Sequence, residues 1–224
     1  MADVFADIKR FIPTYEPNVV LDVGANVGQT VRRIRRSFPN VSVHCFEPVP
    51  AAFDKLSDYL ANDINATPHR LGLGDADNAV IMTVADHSTA NRVVRSEIPG
   101  KTQEVLFQRG DTWCASKGIS HVSVLKVDAE GYDLKVLVGF GAMISAQKVD
   151  FIQVEAGMNM TNVRHVPLER FRGLLEPFGY SLFRLHDQTF ELNRRPILRR
   201  LNASFVCAEI GSSLRLPDGV SIET

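Results

Sequence analysis

The stretch Val19–Thr30, VVLDVGANVGQT, limits what this chain can fold into more than any other part of it. Val19, Val20, Leu21 and Val23 make a short run that is apolar on both faces and rich in β-branched residues, the pattern of a strand buried in a parallel sheet. Gly24 and Gly28 bracket a turn where the backbone bends tightly and a ligand can approach with no Cβ in the way. Val27, Val31, Ile34 and Phe38 then recur at spacings of four, three and four, one face of a helix. The free N–H groups at the start of that helix point back at the turn. Strand, turn and helix together form a site suited to a polar cofactor.

The same alternation continues along the chain. Asp3 to Ile12 predicts a short leading helix, and Pro13 and Pro17 mark a connector. Core strands are expected at Val19–Val23, Val41–Phe46, His69–Leu73, Val122–Val127 and Phe151–Val154. Helices are expected at Gln29–Phe38, Ala51–Leu60, Tyr132–Phe140 and Leu168–Phe178, with a further one at Thr112–Lys117. Val80–Val84 and Glu104–Phe107 also read as strands, separated by the long polar stretch Asp86–Gly100. Tyr180–Leu185 and Ala203–Ile210 read as late strands that pair antiparallel, linked through the Arg-rich segment Arg194–Arg200. The pattern predicts an α/β fold with a doubly wound, mostly parallel, Rossmann-like sheet. A length of 224 residues suits one domain over 1–224, with a leading helix and connector in 1–17 and a core in 19–210.

Charge and cysteine usage exclude other classes. The formal net charge of -1 supplies no global field to recruit nucleic acid or an anionic membrane. No apolar run approaches the ~20 residues of a membrane span, and the N-terminal MADVFADIKRF lacks the apolar segment of a secretory signal. The three cysteines are far apart and match no zinc spacing, which fits a reducing cytoplasm.

In open α/β sheets ligands bind beyond the carboxyl ends of the strands. Each core strand here ends near a carboxylate: Asp22, Glu47, Asp75, Asp128 with Glu130, and Glu155. The turn reads GANVGQ, not GxGxxG, and no P-loop occurs. A nucleoside without phosphate therefore fits better than a dinucleotide. Glu47 is placed to accept from both ribose hydroxyls and Asp75 from an adenine amino group. Such a ligand is S-adenosylmethionine.

The strings LDVGANVGQT, FEPVPAAFDKL, LGLGD, LKVDAEGYDLKVLVGF and FIQVEAG, in this order, resemble the FkbM-type methyltransferases over about Val19 to Val206. That resemblance implies a class I enzyme dependent on S-adenosylmethionine, with a seven-stranded sheet carrying a late antiparallel strand. Many members O-methylate sugars or natural-product hydroxyls. The family often has Thr-Leu-Asp before the fourth strand, where this chain has Asp111-Thr112-Trp113. Asp86–Gly100 and Gly157–Pro167, on the expected substrate side, match no named motif.

The expected cofactor residues are Asp22, Gly24, Ala25, Asn26, Gly28, Gln29, Glu47, Pro48, Gly74, Asp75 and Asp128. Methyl transfer to a hydroxyl needs alignment and removal of a proton. Asp128, Glu130 and Glu155 are the expected catalytic residues. They could act as a general base, or Asp128 and Glu155 could hold a divalent cation such as magnesium. His87 and His165, in unassigned loops, are further candidates for the base. The expected acceptor is a small molecule or saccharide. A small-molecule N-methyltransferase and a catalytically silent cofactor-binding module are the alternatives. The proline-rich motif of nucleic-acid N-methylation is absent, since Asp128-Ala129-Glu130-Gly131 stands there.

Overall fold

The structure is a computed structural model that describes residues 3–83, 93–94, 98, 101–159, 162, 164–191 and 195–215. A leading helix α1 (Val4–Phe11) is capped by Asp3, whose carboxylate accepts from the Ala6 N–H at 2.9 Å. There follow β1 (Val19–Val23), α2 (Gln29–Ser37), β2 (Ser42–Phe46), α3 (Pro50–Leu60), β3 (Ala66–His69) and β4 (Gly72–Gly74). The middle holds β5 (Asn78–Thr83), β6 (Val93–Val94), β7 (Thr102–Arg109) and α4 (Gly110–Ser116). Then come β8 (Val122–Val127), α5 (Asp133–Gly139), α6 (Gly141–Ser145), β9 (Val149–Gly157) and α7 (Leu168–Leu175). The chain closes with β10 (Ser181–Phe190), β11 (Leu198–Val206) and α8 (Ala208–Ser213).

The main sheet has seven strands in the order β10-β11-β9-β8-β1-β2-β3. β1 pairs in parallel with both β2 and β8, and β8 with β9. β11 runs antiparallel to both of its neighbours. Strand order reverses between β1 and β8, which is where such sheets bind ligands. Alternation along the buried strands sorts the core onto two faces. Val20, Val43, Val124 and Phe151 pack with α1, α2 and α3, while Leu21, Leu125 and Ile152 pack with α4 to α7.

A second, four-stranded sheet has the order β4-β7-β5-β6 and was not expected as a separate unit. The single strand expected at His69–Leu73 is split in two. A tight turn in which the Leu71 N–H donates to the His69 carbonyl at 2.9 Å ends β3 and redirects the chain into β4. The last strand likewise stops at Val206 and does not run to Ile210, because α8 begins at Ala208. Asp86 to Gly100 lies largely outside the described residues.

Candidate active site

The carboxyl ends of β1, β2, β8 and β9, with β4, β10 and β11, surround one cavity of about 410 Å³. That is within the range of small-molecule sites. It spans the switch point. One half lies over β1 and β2, the other over β8, β9 and β11.

The first half is built on close backbone approach. Gly24 has φ +76°, and a Cβ there would sit 1.9 Å from the Asp128 carbonyl oxygen. Only glycine lets the β1 turn lie directly on the end of β8. Asn26, also left-handed at φ +50°, lines the cavity, and its buried Oδ1 has no hydrogen-bond partner among the described residues. Glu47 is 7% exposed. Its Oε2 accepts from the Asn26 N–H at 3.1 Å and its Oε1 from the Val49 N–H at 2.9 Å. Burial pushes its carboxyl from 4.5 up to about 7, and the two N–H donors only partly oppose this. Ala25, Gln29, Pro48 and Leu73 complete this half.

Beneath the cavity a polar row crosses the sheet. Register pairs Asp22 with Lys126, Lys126 with Gln153, and Gln153 with Ser204. Lys126 Nζ lies 3.1 Å from Asp22 Oδ1 and 3.6 Å from Asp128 Oδ2. Burial alone would lower the ammonium's pKa. The two carboxylates outweigh burial and hold it above the ordinary lysine range.

Beyond β8 the Asp128–Gly131 loop is folded around Asp133. That carboxylate accepts from the Ala129 N–H at 3.1 Å and the Gly131 N–H at 3.0 Å. Glu130 takes φ +49° and lines the cavity. A non-glycine residue held in this region marks a constrained and often functional position. Burial, and then the Asp128 charge, push its carboxyl from 4.5 up to about 7.

On the far wall Glu155 Oε2 lies 2.7 Å from His165 Nε2, and Glu155 Oε1 contacts Arg200 Nη1. His165 Nδ1 faces Asn162 Oδ1 at 2.9 Å, and Asn162 Nδ2 donates to the Arg199 carbonyl at 2.8 Å. Both ring nitrogens therefore face oxygens. Nδ1–H donates to Asn162 Oδ1, and Nε2 faces Glu155 Oε2. Burial lowers the imidazole's pKa, opposed by Glu130, Asp133 and Asp128. His165 stands behind Glu155 and does not line the cavity.

The structure thus gathers Gly24, Ala25, Asn26, Gln29, Glu47, Pro48, Asp128, Glu130 and Glu155 around one space, with Asp22 beneath it. It does not bring Gly28, Gly74 or Asp75 to the lining. Asp75 is drawn to α5 instead, where it accepts from the Tyr132 hydroxyl at 3.3 Å and pairs with Lys135 Nζ at 3.2 Å. Asp75, expected at an adenine, is thus turned away from the cavity, and Leu73 and Gly72 line the wall there. Trp113 is core, edge-on to Phe46 with ring centroids 4.7 Å apart. His87, Met160 and Arg194 lie outside the described residues. Among the described residues no three potential metal ligands converge, and Asp128 and Glu155 already face Lys126, His165 and Arg200. Lys126, Asp133, Gln153, Arg33, Asp187 and Asn202 were not anticipated. Only the first carried a clear signal, as a lone charge inside an apolar strand opposite the lone Asp22.

A family model, Methyltransferase FkbM domain, matches residues 22–190. The chain belongs to the FkbM methyltransferase family. Two curated relatives indicate the range within this FkbM group. The 2-O-methyltransferase NoeI of Sinorhizobium fredii is 26% identical over 71% of this chain and 72% of its own length. The hexuronic acid methyltransferase AglP of Haloferax volcanii is 28% identical over 66% of this chain and 60% of its own. The chain spans only about 60% of the length of several curated relatives that it matches. Among solved structures, the fibrillarin pre-rRNA processing protein of Methanococcus jannaschii superposes with a TM-score of 0.51 at 15% identity. That match covers 91% of this chain and 73% of the other, and shows a shared fold only. No helix among the described residues is long and apolar enough to cross a membrane.

Proposed function

We propose that this FkbM-family chain is an S-adenosylmethionine-dependent O-methyltransferase that acts on a hydroxyl of a sugar, glycan or secondary metabolite. It would work as one domain over 1–224, in a reducing cytoplasm that suits its three buried free cysteines. The relatives named for methylation at a 2-hydroxyl and on a hexuronic acid support this reading. The observation that carries it is the single cavity lined by both groups of strand ends. An acceptor-rich half is built on Gly24, Asn26 and Glu47, and a second half holds Glu130 and Glu155. The orphaned Asn26 Oδ1 and the remaining lone pairs of Glu47 fit the donors of a nucleoside with an amino-acid tail.

S-adenosylmethionine bound there would supply an electrophilic methyl group. The chain's own residues do the rest. Glu47 orients the ribose, and the Gly24 turn lets the ligand lie close to the backbone. Glu130 accepts the proton that leaves the acceptor hydroxyl as its oxygen gains the methyl. A carboxyl raised to about 7 is a base poised near neutrality. Glu155, tied to His165 and Arg200, positions the acceptor. Asp128, paired with Lys126, fixes the loop that carries Glu130.

Glu130→Gln separates binding from chemistry. Cofactor affinity should hold, while transfer of a labelled methyl group to an acceptor falls by about 10²–10⁴-fold, the usual contribution of a general base. Unchanged turnover in the variant would remove Glu130 from this role.

A further inference from the structure

The second half of the cavity holds polar groups that the proton transfer does not use. Arg33 from α2, Asp187 and Thr189 from β10, and Asn202 from β11 all line it. They meet because β10 is irregular. His186 pairs with Asn202 and Thr189 with Arg200, so three steps along β10 match two along β11. The extra residue makes a bulge, which re-aims side chains at a sheet edge. Asp187 sits in it at φ +48°, a conformation that aspartate tolerates better than most residues. The preceding His186 buries Nε2 2.8 Å from Asp7 Oδ2 and so fixes β10 to α1. Asp187 Oδ2 accepts from Arg33 Nη1 at 2.7 Å and from Asn202 Nδ2 at 3.0 Å. Its Oδ1 has no partner among the described residues.

The geometry points to this cluster as the acceptor-binding subsite, built for a neutral polyhydroxyl sugar residue. The inference rests on the methyltransferase reading and adds the chemical class of the acceptor to it. A sugar hydroxyl both donates and accepts. The free carboxylate oxygen of Asp187, the remaining N–H groups of Arg33, the Asn202 amide oxygen and the Thr189 hydroxyl alternate those two roles. Charge decides against an acidic sugar. Among the described residues, the cations that line the cavity are Arg33, Lys126 and Arg200, and each already faces a carboxylate. A uronate or phosphate would bring another negative charge towards Asp128 and Glu130 with no uncommitted cation among the described lining residues to receive it. Position on the sheet agrees. The cluster lies over β10 and β11, across the switch point from Glu47.

The test uses the full chain saturated with S-adenosylhomocysteine. Binding of three probes is followed by saturation-transfer NMR: methyl β-glucopyranoside, its glucuronide and its 2-amino analogue. The neutral glycoside should bind most tightly. Asp187→Asn should weaken it about tenfold or more, the scale of a lost hydrogen bond to a charged group, and Thr189→Val by about two- to tenfold, the scale of a neutral one. Their affinity for S-adenosylhomocysteine should stay within about threefold of wild type, and their melting points should be unchanged. Tighter binding of the glucuronide or the amine, or no binding of any probe, overturns the neutral-sugar subsite. Equal loss of S-adenosylhomocysteine in the variants assigns the cluster to the cofactor instead. Failure of the wild type to bind S-adenosylhomocysteine at all is a different result, which removes the methyltransferase reading and this subsite with it.

Discussion

Lys126 shows how single residues set this site. Asp22 is fully buried, and its Oδ1 depends on the lysine ammonium 3.1 Å away. Replacing Lys126 with Met would fill the space and leave a buried carboxylate without its counter-ion. Lys126→Met should therefore destabilise the protein by about 3–5 kcal/mol, the range for breaking one side of a buried pair. Adding Asp22→Asn to that variant should recover much of the loss, and denaturant unfolding of the four forms would measure the coupling. A simple sum of the two single effects would show that the pair is not a unit. Both charges could be read in the sequence, since VVLDV and SVLKV each carry one charge inside an apolar run. What could not be read was the second contact of Lys126, with Asp128, because side-chain reach is set by register.

At the scale of elements, α5 is held against β4 through Gly139. A Cβ at Gly139 would lie 1.9 Å from the Gly74 carbonyl oxygen, which is backbone and cannot swing aside. On propensity alone Gly→Ala inside a helix gains about 1 kcal/mol. Gly139→Ala should do the opposite and lower the melting point, since α5 must move off β4. Gly173→Ala in α7, where nothing lies within 4 Å, should raise it. Scanning calorimetry of the two variants checks both signs, and a rise for both would mean α5 is not packed this tightly. Elements with strong periodicity were legible in the sequence: β1, α2, β2, α3 and β8 lie close to where their patterns put them. The second sheet was not. β4 and β7 are brought together by a turn after His69 and by pairing between Gly72 and Phe107, distant in sequence. Long-range pairing of this kind leaves no local pattern. The same limit explains Asp187, whose place at the cavity depends on a bulge relative to β11, and Asp75, whose side chain follows α5 rather than the strand end.

At the scale of the whole molecule, the site stores buried acidity. Glu47 and Glu130 are each raised from 4.5 to about 7. The folded state therefore binds more protons than the unfolded state between those values, and stability falls as pH rises through that window. His69, lowered by burial from 6.5 to about 4, works the other way, and its contribution is lost as pH falls below 6.5. The two effects oppose each other up to about pH 6.5, and only the carboxyl effect remains above it. The melting point without cofactor should decline from about pH 6.5 to 8, and S-adenosylhomocysteine should flatten the decline by donating to Glu47. A melting point that rises over this range would contradict the buried carboxyls.

The proposed hold of the β1 turn and Glu47 on the nucleoside of S-adenosylmethionine is open to direct measurement. Calorimetric titration of S-adenosylhomocysteine into wild type and Glu47→Ala at pH 8 and pH 6 addresses it most directly. The wild type should bind one molecule, more weakly at pH 6, with up to about a tenfold change per pH unit near the Glu47 pKa. The variant should bind about 1–3 kcal/mol more weakly at pH 8 and lose that pH dependence, as expected when hydrogen bonds to a charged acceptor are removed. Equal affinity in the two proteins, with the same response to pH, would contradict the assignment.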